Sequence, residues 1–254
     1  MPRILAAGCG SILVLAVLVS APMDANAQRF EWPEKAENLK VLPEDFPPQR
    51  LRAVMTGFTR ALGVRCSHCH VGEEGQPLTT FDFASDDNPK KDIARTMLEM
   101  LGDINKTLET IDKEGRDPVN MWCHTCHRGV ARPHTLDAAL METFSAHGTE
   151  GMMDEYATLR ERFYGRAAYD FGENSLNSLG YALLNRSELD AAIAVFRENV
   201  KHFPESSNAY DSLAEGFLTA GEADSARFYY EKTVELDPRN RNAKEKLKEL
   251  KREE

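Results

Sequence analysis

Cys66-Ser67-His68-Cys69-His70 and Cys123-His124-Thr125-Cys126-His127 are two copies of one pattern, C-x-x-C-H. That pattern is the attachment signature of c-type haem, and the chemistry explains its spacing. Two thiols three positions apart lie along one face of a helical turn, where they can add to the two vinyl groups of a single porphyrin. The histidine that follows then falls beneath the macrocycle, with its imidazole toward iron. Cys66, Cys69, Cys123 and Cys126 are therefore read as the covalent attachment points of two haem c groups, with His70 and His127 as proximal iron ligands. Other uses of the thiols fit less well. Zinc held by two C-x-x-C pairs usually wants them about 15–20 residues apart, whereas Cys69 and Cys123 stand 54 positions apart. A thioredoxin-like motif does not need the trailing histidine and sits in a βαβ pattern that is not seen here. A disulfide between neighbouring thiols in an oxidising compartment is the remaining alternative.

The distal ligands decide what the iron can do. Methionine opposite histidine gives a closed, electron-transferring haem of raised potential, and an open position admits small ligands or peroxide. A predicted helix carrying methionine precedes each motif. Gln49 to Leu62 follows Pro47-Pro48 and sets Leu51, Val54, Met55, Phe58 and Leu62 on one face, with Gly63 as its stop. Pro89 to Ile111 does the same with Ile93, Met97, Met100/Leu101, Ile104 and Leu108. Taken singly, Met55, Met97 and Met100 read as core methionines, which fill irregular gaps well. A helix, a turn and a haem motif occurring twice in that order favour ligation by Met55 and by one of Met97 and Met100. His68 and His124 occupy variable positions of their own motifs and read as surface residues, as does His134. Arg65, Lys90, Lys91, Arg128 and Arg132 are candidates to pair with haem propionates.

The first 27 residues read as an export signal. Arg3 opens it, Ile4 to Val19 is nearly all apolar, and Ala25-Asn26-Ala27 is a small-x-small cleavage site. The expected product is soluble and periplasmic or otherwise exported, with an uncleaved membrane anchor as the alternative. Cys9 would leave with the signal, so every remaining cysteine lies in a haem motif. A net charge of −10 argues against nucleic acid as a partner, since phosphate backbones reward clustered Lys and Arg.

Residues 38–135 resemble the cytochrome c subunit of photosynthetic reaction centres. The resemblance rests on Ala94-Arg-Thr-Met-Leu-Glu-Met-Leu-Gly-Asp-Ile-Asn105, on Cys123-His-Thr-Cys-His-Arg-Gly129 with Pro133 beyond it, and on Met55 to Gly63-Val64-Arg65-Cys66. It implies haem sites built as a helix with an axial methionine, a turn and a C-x-x-C-H helix. It points to Met55 for the first iron and to Met97 over Met100 for the second. That family's subunit carries four haems, whereas this chain has two motifs, and the gap from Met97 to His127 is longer than the resemblance expects.

From Glu173 onward the sequence repeats with a period of 34. Leu176 matches Tyr210, Leu179 matches Leu213, Gly180 matches Ala214, Ala192 matches Ala226, Phe196 matches Tyr230 and Pro204 matches Pro238. This is the tetratricopeptide pattern of paired antiparallel helices. Asn240 to Glu254 reads as a polar capping helix. Two repeats are fewer than the three or so that stand alone, so Asp154 to Tyr164 is expected to cover the open end, with Gly165 to Gly172 as a bend.

The chain as a whole is expected to be all-α with little or no sheet. Its parts are a signal peptide over 1–27, a di-haem domain over 28–135, a helical connector over 136–172, and two repeats with a capping helix over 173–254. The function expected is electron transfer between redox partners, a membrane-bound electron-transfer complex among the candidates, with the repeats docking a peptide or protein. A di-haem peroxidase-like enzyme with one open iron and a haem-bearing scaffold are the alternatives.

Overall fold

The computed structural model describes residues 30–111 and 119–252. The expected signal over 1–27, Cys9 included, lies outside them. Nine α-helices and two short 3-10 turns make up the described fold, and the only pairing of extended backbone is an isolated antiparallel bridge between Val71 and Asp82. The chain is all-α. No helix among the described residues is long and apolar enough to cross a membrane.

The first half carries α1 (Pro48–Leu62), α2 (Lys90–Ile111) and α3 (Cys123–His127). Proline stands in the first turn of α1, where its missing N–H costs nothing. Gly63 ends the helix at φ 67°, a left-handed cap whose N–H bonds to Thr59 O. α1 packs against α3, and the joint is a backbone contact: Gly129 N donates to Ala61 O at 2.7 Å. α2 is different. It spans 22 residues and has an apolar stripe, yet none of its residues is buried, and Ile93, Met100 and Ile111 stand exposed.

The second half begins with α4 (Leu136–Phe163), much longer than the helix expected over 154–164. Gly148, at φ 68° and ψ −164°, kinks it. Then come α5 (Glu173–Leu184), α6 (Leu189–His202), α7 (Ser207–Thr219), α8 (Ala223–Leu236) and α9 (Arg241–Leu250). α5, α7 and α9 start 34 residues apart, as do α6 and α8. α9 is thus the first helix of a third unit as well as a cap. Successive helices pack on one another from α5 to α9, and α4 lies on α5 and α6.

One apolar core runs through this half. Met152, Tyr156, Leu159 and Phe163 of α4 join Leu176, Leu179, Leu183, Ala192, Phe196, Leu213, Phe217 and Tyr230 in it. Each such side chain contributes about 1.5–3 kcal/mol by leaving water. Gly180 is the tightest point of the first helix pair, because a methyl added there would sit 2.3 Å from the Phe196 ring. Gly180→Ala is expected to destabilise the repeats by about 1–3 kcal/mol through overpacking. The unfolding midpoint should fall by several degrees while the haem spectrum stays unchanged. An unshifted midpoint would count against this packing.

Candidate haem-binding site

The stretch Arg65 to His70 builds the first site. Cys66–His68 form one turn of 3-10 helix rather than the α-helical turn of the second motif. In a 3-10 turn the side chains at i and i+3 eclipse, which stacks Cys66 over Cys69. Cys69 N and His70 N both donate to Cys66 O, at 3.2 and 3.0 Å. The thiols are free. Burial pushes the Cys69 thiol up from its ordinary value, so it is held protonated.

These residues open into a cavity of about 570 Å3, the size of a cofactor pocket. Met55, Cys66, Cys69 and His70 all line it, with Phe58 and Leu62 of α1 and Ala94 and Leu98 of α2. The structure therefore brings together the four residues expected at the first haem, although Met55 is 11 positions from the nearest of them. Phe83 meets the His70 ring edge-on at 5.0 Å. His70 Nδ1 is buried with no hydrogen-bond partner. Burial first, then the charges of Lys91 and Arg95, lower the imidazole's pKa. A neutral imidazole is the form that binds iron. An apolar cavity with paired thiols, a thioether and a neutral imidazole on its walls fits haem c.

Two parts of this wall are not marked in the sequence. The segment from Phe30 to Leu42 lines the cavity, held by Asn38 Nδ2 to Ala84 O and Lys40 Nζ to Asp86 Oδ2, each at 2.6 Å. Arg95 of α2 also lines it and bonds to Asp86 Oδ1 at 2.7 Å. Arg95 and Lys40, with Asn38 and Lys91, hold the Asp86 carboxyl well below the usual carboxylate range. Arg95 shares a helix face with Lys91, Ala94 and Leu98, and this was the available signal for it.

At the second motif α3 places Cys123 half-buried, Cys126 exposed and His127 buried. His127 Nδ1–H donates to Val130 O at 3.0 Å. That bond fixes the tautomer and leaves Nε2 free to meet iron. Asn105 of α2 ties the approach to the motif from both sides: Met121 N donates to Asn105 Oδ1 at 2.7 Å, and Asn105 Nδ2 donates to Met121 O at 3.1 Å. Met97 is half-buried, and Met100 is 47 % exposed. Neither lies in the cavity of the first motif. Met100 borders a shallow depression along α2 with Ile104 and Leu108. Trp122 and Val119 stand exposed beside the motif. Free thiols in one helical turn, a histidine with Nε2 available and uncovered apolar side chains fit a second haem.

Most of the expected propionate partners are engaged elsewhere. Arg128 Nη1 reaches Ala167 O at 3.1 Å, Arg132 pairs with Glu142 at 2.8 Å and Arg65 with Glu74 at 3.2 Å. Lys91 bonds to the carbonyls of Phe83, Ala84 and Ser85. His134 rests against the Tyr169 ring at 6.1 Å, and Lys90 lies 3.4 Å from His68 Nδ1. Among the described residues no group of three or more His, Cys, Asp or Glu is placed to hold a metal ion directly, so the four thiols are not gathered as a zinc site.

The family described as "Photosynthetic reaction centre cytochrome C subunit" matches residues 16–160, more than half of the chain. The chain belongs to that family. The match to the reaction-centre cytochrome c family runs past residue 135 into α4, so the family segment overlaps the helix that closes the repeat core. Membership implies covalently bound haem c and a cytochrome-like role in electron transfer. When bound, haem supplies an iron that cycles between ferrous and ferric states. No curated protein matches the chain. Among solved structures, the first TPR of Spaghetti (RPAP3), bound to an HSP90 peptide, is 16 % identical at a TM-score of 0.33, covering 46 % of this chain and 88 % of its own. The first TPR domain of human RPAP3 gives the same identity and TM-score and covers 46 % of this chain and 87 % of its own. The repeat assignment rests on the 34-residue register of α5 to α9.

Proposed function

We propose that this reaction-centre cytochrome c family member is an exported di-haem electron carrier whose repeats dock a redox partner, soluble or membrane-bound. The observation that carries the reading is the convergence of Met55, Cys66, Cys69 and His70 on one apolar cavity. A thioether opposite an imidazole favours the ferrous state and leaves no iron position for substrate, as a carrier requires. His70 and Met55 would hold the first iron, and His127 the second, where bound haem would supply a one-electron couple. For the second iron's other ligand, Met97 would supply the sulfur, with Met100, on the same helix, as the alternative. Export belongs to the reading because residues 1–27 carry the sequence pattern of a signal, with a basic start, an apolar run and a small-x-small site.

The test is haem stoichiometry and spectroscopy of the purified protein. Two covalent haems per chain, low-spin ferrous spectra and little carbon monoxide binding are expected. One haem, or none, would sink the di-haem reading. A high-spin band with rapid carbon monoxide uptake would favour a peroxidase-like enzyme. That second reading draws on the exposed Cys126, Trp122 and Val119 at the second motif.

A further inference from the structure

The concave side of a repeat stack is lined by the first helix of each unit, here α5, α7 and α9. Equivalent positions form ladders 34 residues apart. One reads Asn174, Asn208, Asn242; the next Asn177, Asp211, Glu245; the third Tyr181, Glu215, Glu249. Neither α5 nor α7 contains a Lys, Arg or His. α9 carries Arg241, Lys244, Lys246 and Lys248, of which Lys246, beside the ladder positions, is bound to Glu249 at 2.9 Å and Lys244 to the Pro238 carbonyl. The α5 and α7 part of the face is therefore rich in acceptors and without cations of its own.

Its centre is an acidic cluster of Asp211 and Glu215 beside Tyr181. Tyr181 O–H donates to Glu215 Oε2 at 2.8 Å, and the Tyr181 oxygen lies 3.2 Å from Ser212 Oγ. Asn242 Nδ2 reaches Asp211 Oδ2 at 3.2 Å. Burial, with Glu215 nearby, raises the Asp211 pKa, and Tyr181 is pushed up to about 12 by burial and by Glu215 and Asp211. Independently, Tyr230 is fully buried and its hydroxyl has no hydrogen-bond partner. That hydroxyl lies close enough to Asp211, Glu215, Tyr181 and Glu249 to feel their charges, which puts it beside the same cluster. A buried hydroxyl left unpaired is costly. The equivalent residue of the preceding repeat is Phe196, so packing alone does not call for an oxygen at 230. Asn177 Oδ1, one helix away on the same ladder as Asp211, is likewise buried and unpaired.

We propose that the face of α5, α7 and α9 takes an arginine- or lysine-bearing segment of a partner protein, its cationic head seated on the partly exposed Tyr181, Asp211 and Glu215 above the Tyr230 hydroxyl. The inference rests on the docking role proposed above and names the chemistry of the partner. Among the described residues Asp211 and Glu215 accept only from neutral donors, Asn240, Asn242 and Tyr181. Their charges therefore have no ion-pair partner beside the unpaired Tyr230 hydroxyl, and a guanidinium supplies five N–H groups and a fixed charge. A bare metal ion does not fit, since no metal-holding cluster exists among the described residues.

The experiment is titration calorimetry of the haem-loaded full-length protein with three Gly/Ser decapeptides. One carries two arginines, one has glutamine in their place and one has glutamate. The arginine peptide is expected to bind about tenfold or more tighter than the glutamine peptide. Its affinity should fall with salt. Tyr230→Phe, a replacement the fold already carries at Phe196, and Asp211→Asn with Glu215→Gln should each weaken it about tenfold. Glu231→Gln, on the exposed side of α8, should leave it unchanged. Equal binding of the arginine and glutamine peptides, or of wild type and Tyr230→Phe, overturns the proposal. If the glutamate peptide binds best, the basic-partner inference fails and docking survives; if none of the three binds, both fail.

Discussion

Gly63→Ala is expected to destabilise the haem half of the chain by about 2–5 kcal/mol and to lower haem attachment at both motifs. Two costs add. Gly63 sits at φ 67°, a left-handed conformation that costs a side-chain-bearing residue about 1–2 kcal/mol. A methyl there would also lie 2.1 Å from Gly129 O. That atom is backbone, in a turn fixed by Gly129 N to Ala61 O at 2.7 Å, and it has no rotamer to escape into. Overpacking of this kind costs about 1–3 kcal/mol more. The joint connects the end of α1, which carries Met55, to the turn after His127, so both motifs should lose haem. Gly75 is the control: its φ is 88°, but a methyl there meets open space. Thermal unfolding and the count of bound haem per chain are the readouts. Equal effects of Gly63→Ala and Gly75→Ala would show that the Gly63–Gly129 contact does not couple the motifs.

How far the sequence carried depends on whether a feature is local. The repeats were legible to the residue because their signal is a register. Glu173, Ser207 and Arg241 open their helices at intervals of 34, and the pairs Leu179/Leu213 and Ala192/Ala226 are buried together. α1 and α2 were legible for a similar reason, as uninterrupted amphipathic patterns bounded by proline and glycine. α4 falls within the helical connector expected over 136–172, but its extent is not marked by one apolar stripe because the kink at Gly148 breaks the phase. Leu136, Ala139 and Leu140 before it, and Met152, Tyr156 and Phe163 after it, are all buried but do not fall on one continuous stripe. The wall of the first cavity was missed because it is made by distance. Lys40 and Asp86 are 46 residues apart and meet at 2.6 Å, and nothing periodic marks either. The C-x-x-C-H motifs, by contrast, are chemistry written in adjacent residues, and only their distal partners needed the fold.

Met55→Leu is the sharper test of that first site, and it separates a ligand from a core residue. Met55 is half-buried on the apolar face of α1, so as packing alone it would tolerate leucine at less than about 1.5 kcal/mol and would suffer more from alanine. As a ligand it would behave differently. Leucine keeps the volume and removes the sulfur, so both variants should lose the ferric sulfur-to-iron band of one haem, about half of the total if the second iron also binds methionine. The ferrous protein should then take up about one carbon monoxide per chain. The potential of that haem should fall, since the thioether is what raises it. Met55→His would restore six-coordination without restoring the potential. The second iron should be unaffected in all three, and its own band should disappear with Met97→Ala or, if the more exposed sulfur is the ligand, with Met100→Ala. A leucine variant with the band intact would return Met55 to the core and leave the first iron's distal ligand to another residue of the cavity.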